Sequence, residues 1–346
     1  MLKSLSKYIY YSTLSGFKTV LSPILPVAAL RKLSGNTPLL PFYHIVSDDM
    51  DIPHVKHLYT YRNIKQFKKD LDFFLKNYIS LSLSDILMSY RQSRPLNNNS
   101  FLLTFDDGFR EIYEVIAPIL KQKGVSATFF LSSDFLDNKK LGYRHKASII
   151  LENIYKSNNS ANKEKIAELL VKNQIKHIDL KGSILSIDYH KQQILDQIGH
   201  ILEIDFNAYL KRVKPYMDSY QVENLIKDGF TIGAHSIDHP KYSLISLDDQ
   251  IFQTIESVNA IVNRFSLDYR AFSFPFSDFG VSSNFFKKIS CCVDICFGSS
   301  PMSEKIDVPN LKRFWMENSQ KQPHTVVKKY YLDRFFTKLT APWTRN

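Results

Sequence analysis

Cysteine is scarce in this chain: three residues in 346, at positions 291, 292 and 296. A long chain with so few, and an odd number, is not a disulfide scaffold. Three unpaired thiols fit a reducing compartment. Long apolar runs are missing as well. The longest charge-free apolar stretch near the N-terminus is TVLSPILPVAAL, the twelve residues between Lys18 and Arg31. It is too short, and too broken by Pro23 and Pro26, to cross a bilayer. Those prolines and the long polar lead-in also make a poor signal-peptide core, despite Lys3 and Lys7 before it and Val27-Ala28-Ala29 after. The chain has no zinc-finger spacing, no RNA-binding aromatic signature, no internal repeat, and no GxGxxG after its first apolar run. Nucleic-acid modules and a dinucleotide-binding fold are therefore set aside. With 44% hydrophobic and 23% charged residues, the composition is that of a globular protein and excludes disorder as the main state.

Acid is absent from the first 47 residues, where Lys3, Lys7, Lys18, Arg31 and Lys32 give +5. Residues 319–346 carry another +5, so the two ends hold nearly all of the net charge of +11. No basic stripe runs through the body, and no nucleic-acid partner is expected. Basic ends mixed with Leu14, Phe17, Val20 and Leu21 suit peripheral contact with an anionic membrane surface; solvated ends that aid solubility are the alternative. The expected location is cytoplasmic, at the membrane face.

The body reads as alternating strands and helices. LLPFYHIV (39–46) is an apolar strand, and KQFKKDLDFFLKNY (65–78) has helical periodicity. FLLTFDD (101–107), an amphipathic helix over 109–124 stopped by Gly124, and VSATFFLS (125–132) form a βαβ unit with parallel strands. Residues 138–215 are polar, Lys- and Asn-rich and lack period-two runs, so they are expected to form a helical insertion. The alternation then resumes with helix 218–228, strand 230–235, helix 246–264, strand 269–275, helix 281–289 and strands 292–298 and 311–316. Repeated βα units imply a parallel sheet or barrel. The domain plan is a basic segment 1–37, a barrel 38–318 carrying the insertion, and a basic tail 319–346. Cys291, Cys292 and Cys296 are expected on an apolar strand as small buried hydrophobes, with metal or disulfide roles the alternative.

Polar residues gather at the C-terminal ends of three strands: Asp106-Asp107-Gly108, His235-Ser236-Ile237-Asp238-His239, and Phe274-Pro275-Phe276-Ser277. In βα barrels the strand C-termini converge on the active site. Adjacent carboxylates on an extended chain point opposite ways, so Asp106 and Asp107 should do different jobs; alone, the pair also reads as an acidic turn capping the next helix. Two histidines four apart lie on one side of a helical turn, a good arrangement for one metal ion, although alone the spacing is common by coincidence. Together, one Asp and two His make a facial ligand set with room for water. Tyr143-Arg144-His145-Lys146 opens the insertion, either as a polar helix start or as a lid beside the substrate.

These segments carry a family resemblance. FLLTFDDG followed by ATFFL resembles the first motif of the polysaccharide deacetylases, the NodB-homology fold of carbohydrate esterase family 4. GFTIGAHSIDHPKYSLIS is similar to their H-[ST]-x-x-H motif, and AFSFPFS resembles the FAYPFG-like form of their third motif. The likeness covers about 39–135 and 215–318. It implies a distorted (β/α) barrel of the NodB deacetylase type with a helical insertion. It implies that Asp107, His235 and His239 hold one divalent metal, expected to be zinc, and that Asp106 is the general base. The attack falls on the N-acetyl group of an amino sugar in a glycan, with the metal and a backbone N–H beside Pro275 and Phe276 stabilising the oxyanion.

The chain also departs from the family. Ser273 stands where many members have an arginine that orients the base, and Ser277 where a glycine is usual. No late Leu-x-His motif supplies an acid. Arg313 resembles a late arginine of some subfamilies and is the candidate replacement. His44 resembles a Tyr-His segment of the poly-N-acetylglucosamine branch and is the candidate acid or substrate contact. The competing readings are a small-amide hydrolase and a catalytically inactive sugar-binding protein. Ser273, Ser277 and the missing late histidine favour inactivity; retention of both aspartates and both histidines favours an enzyme.

Overall fold

The computed structural model describes residues 25–35, 37–157, 159–176, 179–300, 307–317 and 321–340. Eight short parallel strands form a nearly closed barrel. They are β1 Pro41–Tyr43, β2 Leu103–Phe105, β3 Ala127–Leu131, β4 Thr231–Ala234, β5 Ala271–Ser273, β6 Ile295–Gly298, β7 Asn310–Lys312 and β8 Phe314–Trp315. Hydrogen-bonded neighbours follow the order β8-β1-β2-β3-β4-β5-β6-β7. Tyr43 pairs with Phe105, Phe105 with Phe129, Leu131 with Ala234, and Ala234 with Phe272. The residues that follow these strand ends therefore emerge on one rim. The strand expected over 311–316 is two half-strands. Its first half pairs with β6 and its second with β1, and Arg313 sits between them with its N–H on the Gly298 carbonyl at 2.7 Å. One residue thus bridges the barrel's seam.

Period-two alternation divides the strand residues between two environments. Tyr43, Leu103, Phe105, Phe129, Leu131, Ile232, Ala234 and Phe272 join the main apolar core. Thr104, Phe130, Ser273 and Arg313 turn to the barrel interior, where they meet one another. The flanking helices form where expected and are capped by their own sequence. Asn63 and Gln66 box the start of Ile64–Asn77, Asp218 and Gln221 that of Ser219–Lys227, and Ser246 caps Leu247–Phe265. The 109–124 helix opens as a π turn, Ile112–Ile116, before Ala117–Lys123. Pro118 has no N–H to give the carbonyl four residues back, and the Ala117 N–H reaches Ile112 instead.

Among the described residues from Tyr143 to Val213 lie five α-helices and a short 3₁₀ helix, with a core of Tyr143, Ile150, Leu151, Ile154, Ile166, Leu170, Ile194, Leu195 and Ile198. No strand occurs among the described residues of 138–215.

Three expectations are corrected. Cys291 and Cys292 are not core residues: they lie in the turn after helix Ser283–Ile289, exposed and half-buried, and only Cys296 is buried on β6. The segment expected as a basic tail contains a helix, Pro323–Thr340. Val327, Tyr330 and Tyr331 sink one face of it into the main core beside Val27–Ser34 and Ile64–Asn77. That i, i+3, i+4 spacing was the overlooked signal. Third, β1 and β2 are shorter than the apolar runs around them, and Ser100–Phe101 pairs with Ile79–Ser80 while Phe101 stays bridged to Leu39. Leu14, Phe17, Val20 and Leu21 lie outside the described residues. No described helix is long and apolar enough to cross a membrane.

Gly233 shows how full the interior is. A Cβ there would lie 2.5 Å from the Phe130 ring, which fills the space beside β4. Gly233→Ala is expected to destabilise the fold by about 1–3 kcal/mol, the usual cost of overpacking. Urea unfolding with wild type alongside measures it, and an unchanged midpoint would show that the ring has room to move.

Candidate active site

Asp106 and Asp107 leave the end of β2 buried, at 2% and 4% exposure. The expected divergence of their side chains does not hold, because both line one cavity of about 240 Å³. Asp107 has φ 69° and Gly108 φ 70°. Two successive left-handed residues turn the extended chain, so neighbouring side chains no longer alternate. Gly108 is needed at that turn, since a Cβ there would also meet Leu131 at 2.9 Å.

His235 and His239 do not sit on a helical turn as the spacing suggested. They lie on the loop after β4, where Ser236 (φ 64°) and His239 (φ 66°) are both left-handed. Ser236 Oγ accepts the His239 N–H at 3.0 Å and closes the loop. Asp238 does not reach the histidines; its carboxylate accepts from Tyr189, Lys140 and Gln253, which ties the loop to the insertion and to helix Leu247–Phe265. His235 Nδ1 donates to the Ser273 carbonyl at 2.9 Å. A carbonyl only accepts, so Nε2 carries the free lone pair.

Asp107 Oδ1 lies 3.2 Å from His239 Nε2 and 3.5 Å from His235 Nε2. It is buried with no hydrogen-bond partner. Burial pushes the His235 pKa down to about 4, and burial on the Asp107 carboxyl is overcome by His239 and His44, which hold it well below the carboxylate range. At neutral pH Asp107 is a carboxylate and His235 a neutral imidazole, and with His239 they make the kind of donor set found in a catalytic zinc-type site. The three ligand atoms lie within 4.8 Å of one another. The residues present fit a divalent metal.

Arg313 reaches Asp106 from the seam. Its terminal nitrogens donate to Oδ1 at 2.8 Å and Oδ2 at 2.7 Å, and also to Thr104 Oγ1 and Ser273 Oγ. Its guanidinium carbon stands 4.6 Å from the Phe42 ring centroid. Burial alone would raise the Asp106 pKa, but Arg313 together with His235 and His44 outweighs it and the net shift is downward. Ser273 is small enough to leave this space open, and its hydroxyl serves the guanidinium. The family departure at 273 and the arginine at 313 are thus one arrangement.

His44 lines the same cavity. Its backbone N–H and its Nδ1 both meet Glu317 Oε1, at 2.9 and 2.5 Å. Trp315 Nε1 donates to that oxygen at 3.1 Å. Burial lowers the His44 pKa, but the Glu317 carboxylate more than offsets it and lifts the group to about 9. Glu317 was missed in the sequence; an acid after an apolar strand-end Trp gave no signal until it met His44. Phe274 and Phe276 line the cavity, whereas Pro275 does not. Pro275 instead turns the chain, its carbonyl accepting the Ser277 N–H at 2.6 Å with Phe276 at φ 57° between them. The turn brings the Phe276 ring 4.7 Å from that of His239.

The insertion also contributes. Tyr143, Arg144 and His145 line the cavity, so the start of the insertion helix stands beside the site. His145 Nε2 lies 4.0 Å from Asp107 Oδ2. Tyr216 Oη accepts the Gly142 N–H at 3.1 Å and meets His145 Nδ1 at 2.5 Å. The phenol hydrogen is satisfied by donating to Nδ1, which leaves the hydrogen of His145 on Nε2, the nitrogen 4.0 Å from Asp107 Oδ2.

The polysaccharide deacetylase family profile matches residues 93–288. The chain belongs to the polysaccharide deacetylase family. It is accordingly a hydrolase of carbon–nitrogen bonds other than peptide bonds, with the fold and family of glycan de-N-acetylation. Among curated proteins no match was found. Solved structures share the fold. The deacetylase PplD of Streptococcus pyogenes, in complex with acetate, is 13% identical with a TM-score of 0.52, over 84% of this chain and 97% of that one. IcaB from Ammonifex degensii is 13% identical with a TM-score of 0.52, over 86% and 98%. A de-N-acetylase from Aggregatibacter actinomycetemcomitans is 16% identical with a TM-score of 0.51, over 82% and 96%. The family profile ends before Arg313 and Glu317, so the seam side of the cavity rests on its own geometry.

His145 gives a test of this geometry. His145→Leu is expected to keep the fold and weaken binding of a divalent metal by at most about 10-fold, the low end for a group behind a ligand, because 4.0 Å is beyond hydrogen-bond reach. Chelator competition measures it. Unchanged affinity would show that Asp107 needs no support from the insertion.

Proposed function

We propose that this protein removes N-acetyl groups from amino sugars of a glycan, using a divalent metal, with zinc the expected ion. The observation that carries the proposal is the ionised Asp106, clamped by Arg313, in one small cavity with the Asp107–His235–His239 group. The family and the shared fold with deacetylases support the reaction class.

The metal, when bound by Asp107, His235 and His239, supplies Lewis-acid polarisation of the amide carbonyl and of a water. The protein supplies the rest. Asp106 takes the proton of the attacking water. Oδ1 accepts from both Arg313 and the Ser273 hydroxyl, whereas Oδ2 accepts from Arg313 alone and keeps a lone pair for that proton. The clamp fixes the carboxylate plane and keeps it ionised. His44 is held protonated by Glu317, and we assign it the role of acid toward the departing amine, which the missing late histidine would otherwise leave unfilled. Tyr59, Trp315 and Phe276 give the cavity aromatic walls against which a sugar ring packs. Release of acetate from a panel of N-acetylhexosamine glycans tests the reading; no acetate from metal-loaded protein on any of them would reject it.

Two further outcomes are expected. Asp106→Asn should retain metal and lose about 10²–10⁴-fold in kcat, the range of general-base catalysis. Metal loss in that variant, with activity intact in Asp107→Asn, would reverse the two roles. The pH profile tests His44. A group whose pKa is raised to about 9 is protonated below that value and loses its proton above it. Activity that uses His44 as acid should therefore fall on the alkaline side, with a limb no higher than about 9, since a bound cation nearby lowers it. Glu317→Gln should move that limb to lower pH. A limb that stays in place in Glu317→Gln would remove His44 from the mechanism.

A further inference from the structure

The ionic side chains of the cavity are nearly all paired within the protein. Asp106 is matched by Arg313, Asp107 faces two imidazoles, and His44 is tied to Glu317. Arg144 is different. It lies in the first turn of the insertion helix Tyr143–Ser157 and lines the same cavity. One terminal nitrogen donates to the Leu185 carbonyl at 2.5 Å. No acid among the described residues pairs with it. Burial lowers its pKa, and only the Tyr143 phenol offsets this. Arginine nevertheless keeps its charge under such conditions. A partly buried guanidinium without a counter-charge has lost some of its hydration and gains from an anion that joins it. A guanidinium fork is also the geometry that binds carboxylate or phosphate through two parallel bonds.

We infer that Arg144 binds a negatively charged group on the substrate, a carboxylate or a phosphate, carried by the acetylated sugar or its immediate neighbour. The proximity follows from the size of the cavity, about 240 Å³, which holds Arg144 and the Asp107–His235–His239 group together. The inference rests on the deacetylase reading and narrows its substrate class from N-acetylated glycans to acidic ones. The anion has two chemical sources: a uronic acid within the polymer, or a phosphate ester at the sugar's anomeric carbon.

The experiment uses metal-loaded full-length protein and four probes: N-acetylglucosamine, N-acetylglucosamine 1-phosphate, a neutral chitotetraose, and a tetrasaccharide alternating N-acetylglucosamine with glucuronate. Calorimetric binding and acetate release are read separately. Wild type is expected to bind one of the charged probes about 10-fold or more tighter than its neutral counterpart, the scale of a hydrogen bond to a charged group. Whichever charged probe shows the preference identifies the source of the anion. Arg144→Gln should abolish that preference while binding the neutral probes as wild type does, and Arg144→Lys should restore part of it. Circular dichroism checks that both variants fold. Equal affinity of wild type for charged and neutral probes, or a preference that survives in Arg144→Gln, overturns the inference and leaves the deacetylase reading in place. Absence of acetate from every probe overturns the reaction instead, and a charge preference lost in Arg144→Gln would still establish the anion site.

Discussion

The ion pair between Asp106 and Arg313 holds the site and the barrel together. Asp106 follows the second barrel strand, and Arg313 stands where the last strand changes partners. Removing one member of a buried pair costs about 3–5 kcal/mol, because the other charge is left in a poor solvent. Here the same contact closes the seam and keeps the proposed base ionised. Thr104 and Ser273 share the guanidinium, and Phe42 covers it. Chemistry and architecture place the same demand on one arginine.

The sequence showed the fold because its signals were local. Apolar runs ending in polar residues marked the strands, and 3.6-residue periodicity marked the helices between them. It showed Asp106, Asp107, His235 and His239 because a motif spaces them within single loops. What it could not show was direction. Adjacent aspartates were expected to diverge, and the two histidines to share a helical turn; left-handed residues at Asp107, Ser236 and His239 decide both matters, and side chains give little notice of them. Pairings across long separations were also hidden. Glu317 became visible only when its distance to His44 was known, and His145 only when the insertion was placed beside Asp107. The helix Pro323–Thr340 was obscured by its charge, although its buried face was regular.

The insertion is built as a separate helical core, yet it meets the barrel through specific groups. Asp238, beside His239, is held by Lys140 and by Tyr189. His145 stands behind Asp107, and Arg144 opens onto the cavity. Loops at the C-terminal rim of a barrel are where related folds vary their chemistry. In this chain the segments that follow the barrel strands carry Asp106, Asp107, His235 and His239, and the insertion supplies part of the cavity wall.

Arg313 lies 207 residues beyond Asp106, and Glu317 lies 273 beyond His44. Contacts so distant along the chain form late, because the entropy of closing the loop is lost before the contact forms. A chain still emerging from the ribosome can assemble the ligand loops while both the clamp on Asp106 and the carboxylate behind His44 are still to come. Competence therefore arrives with the final turn of the barrel. A nascent or truncated molecule lacks both the clamp and the carboxylate behind His44 until the ring has shut.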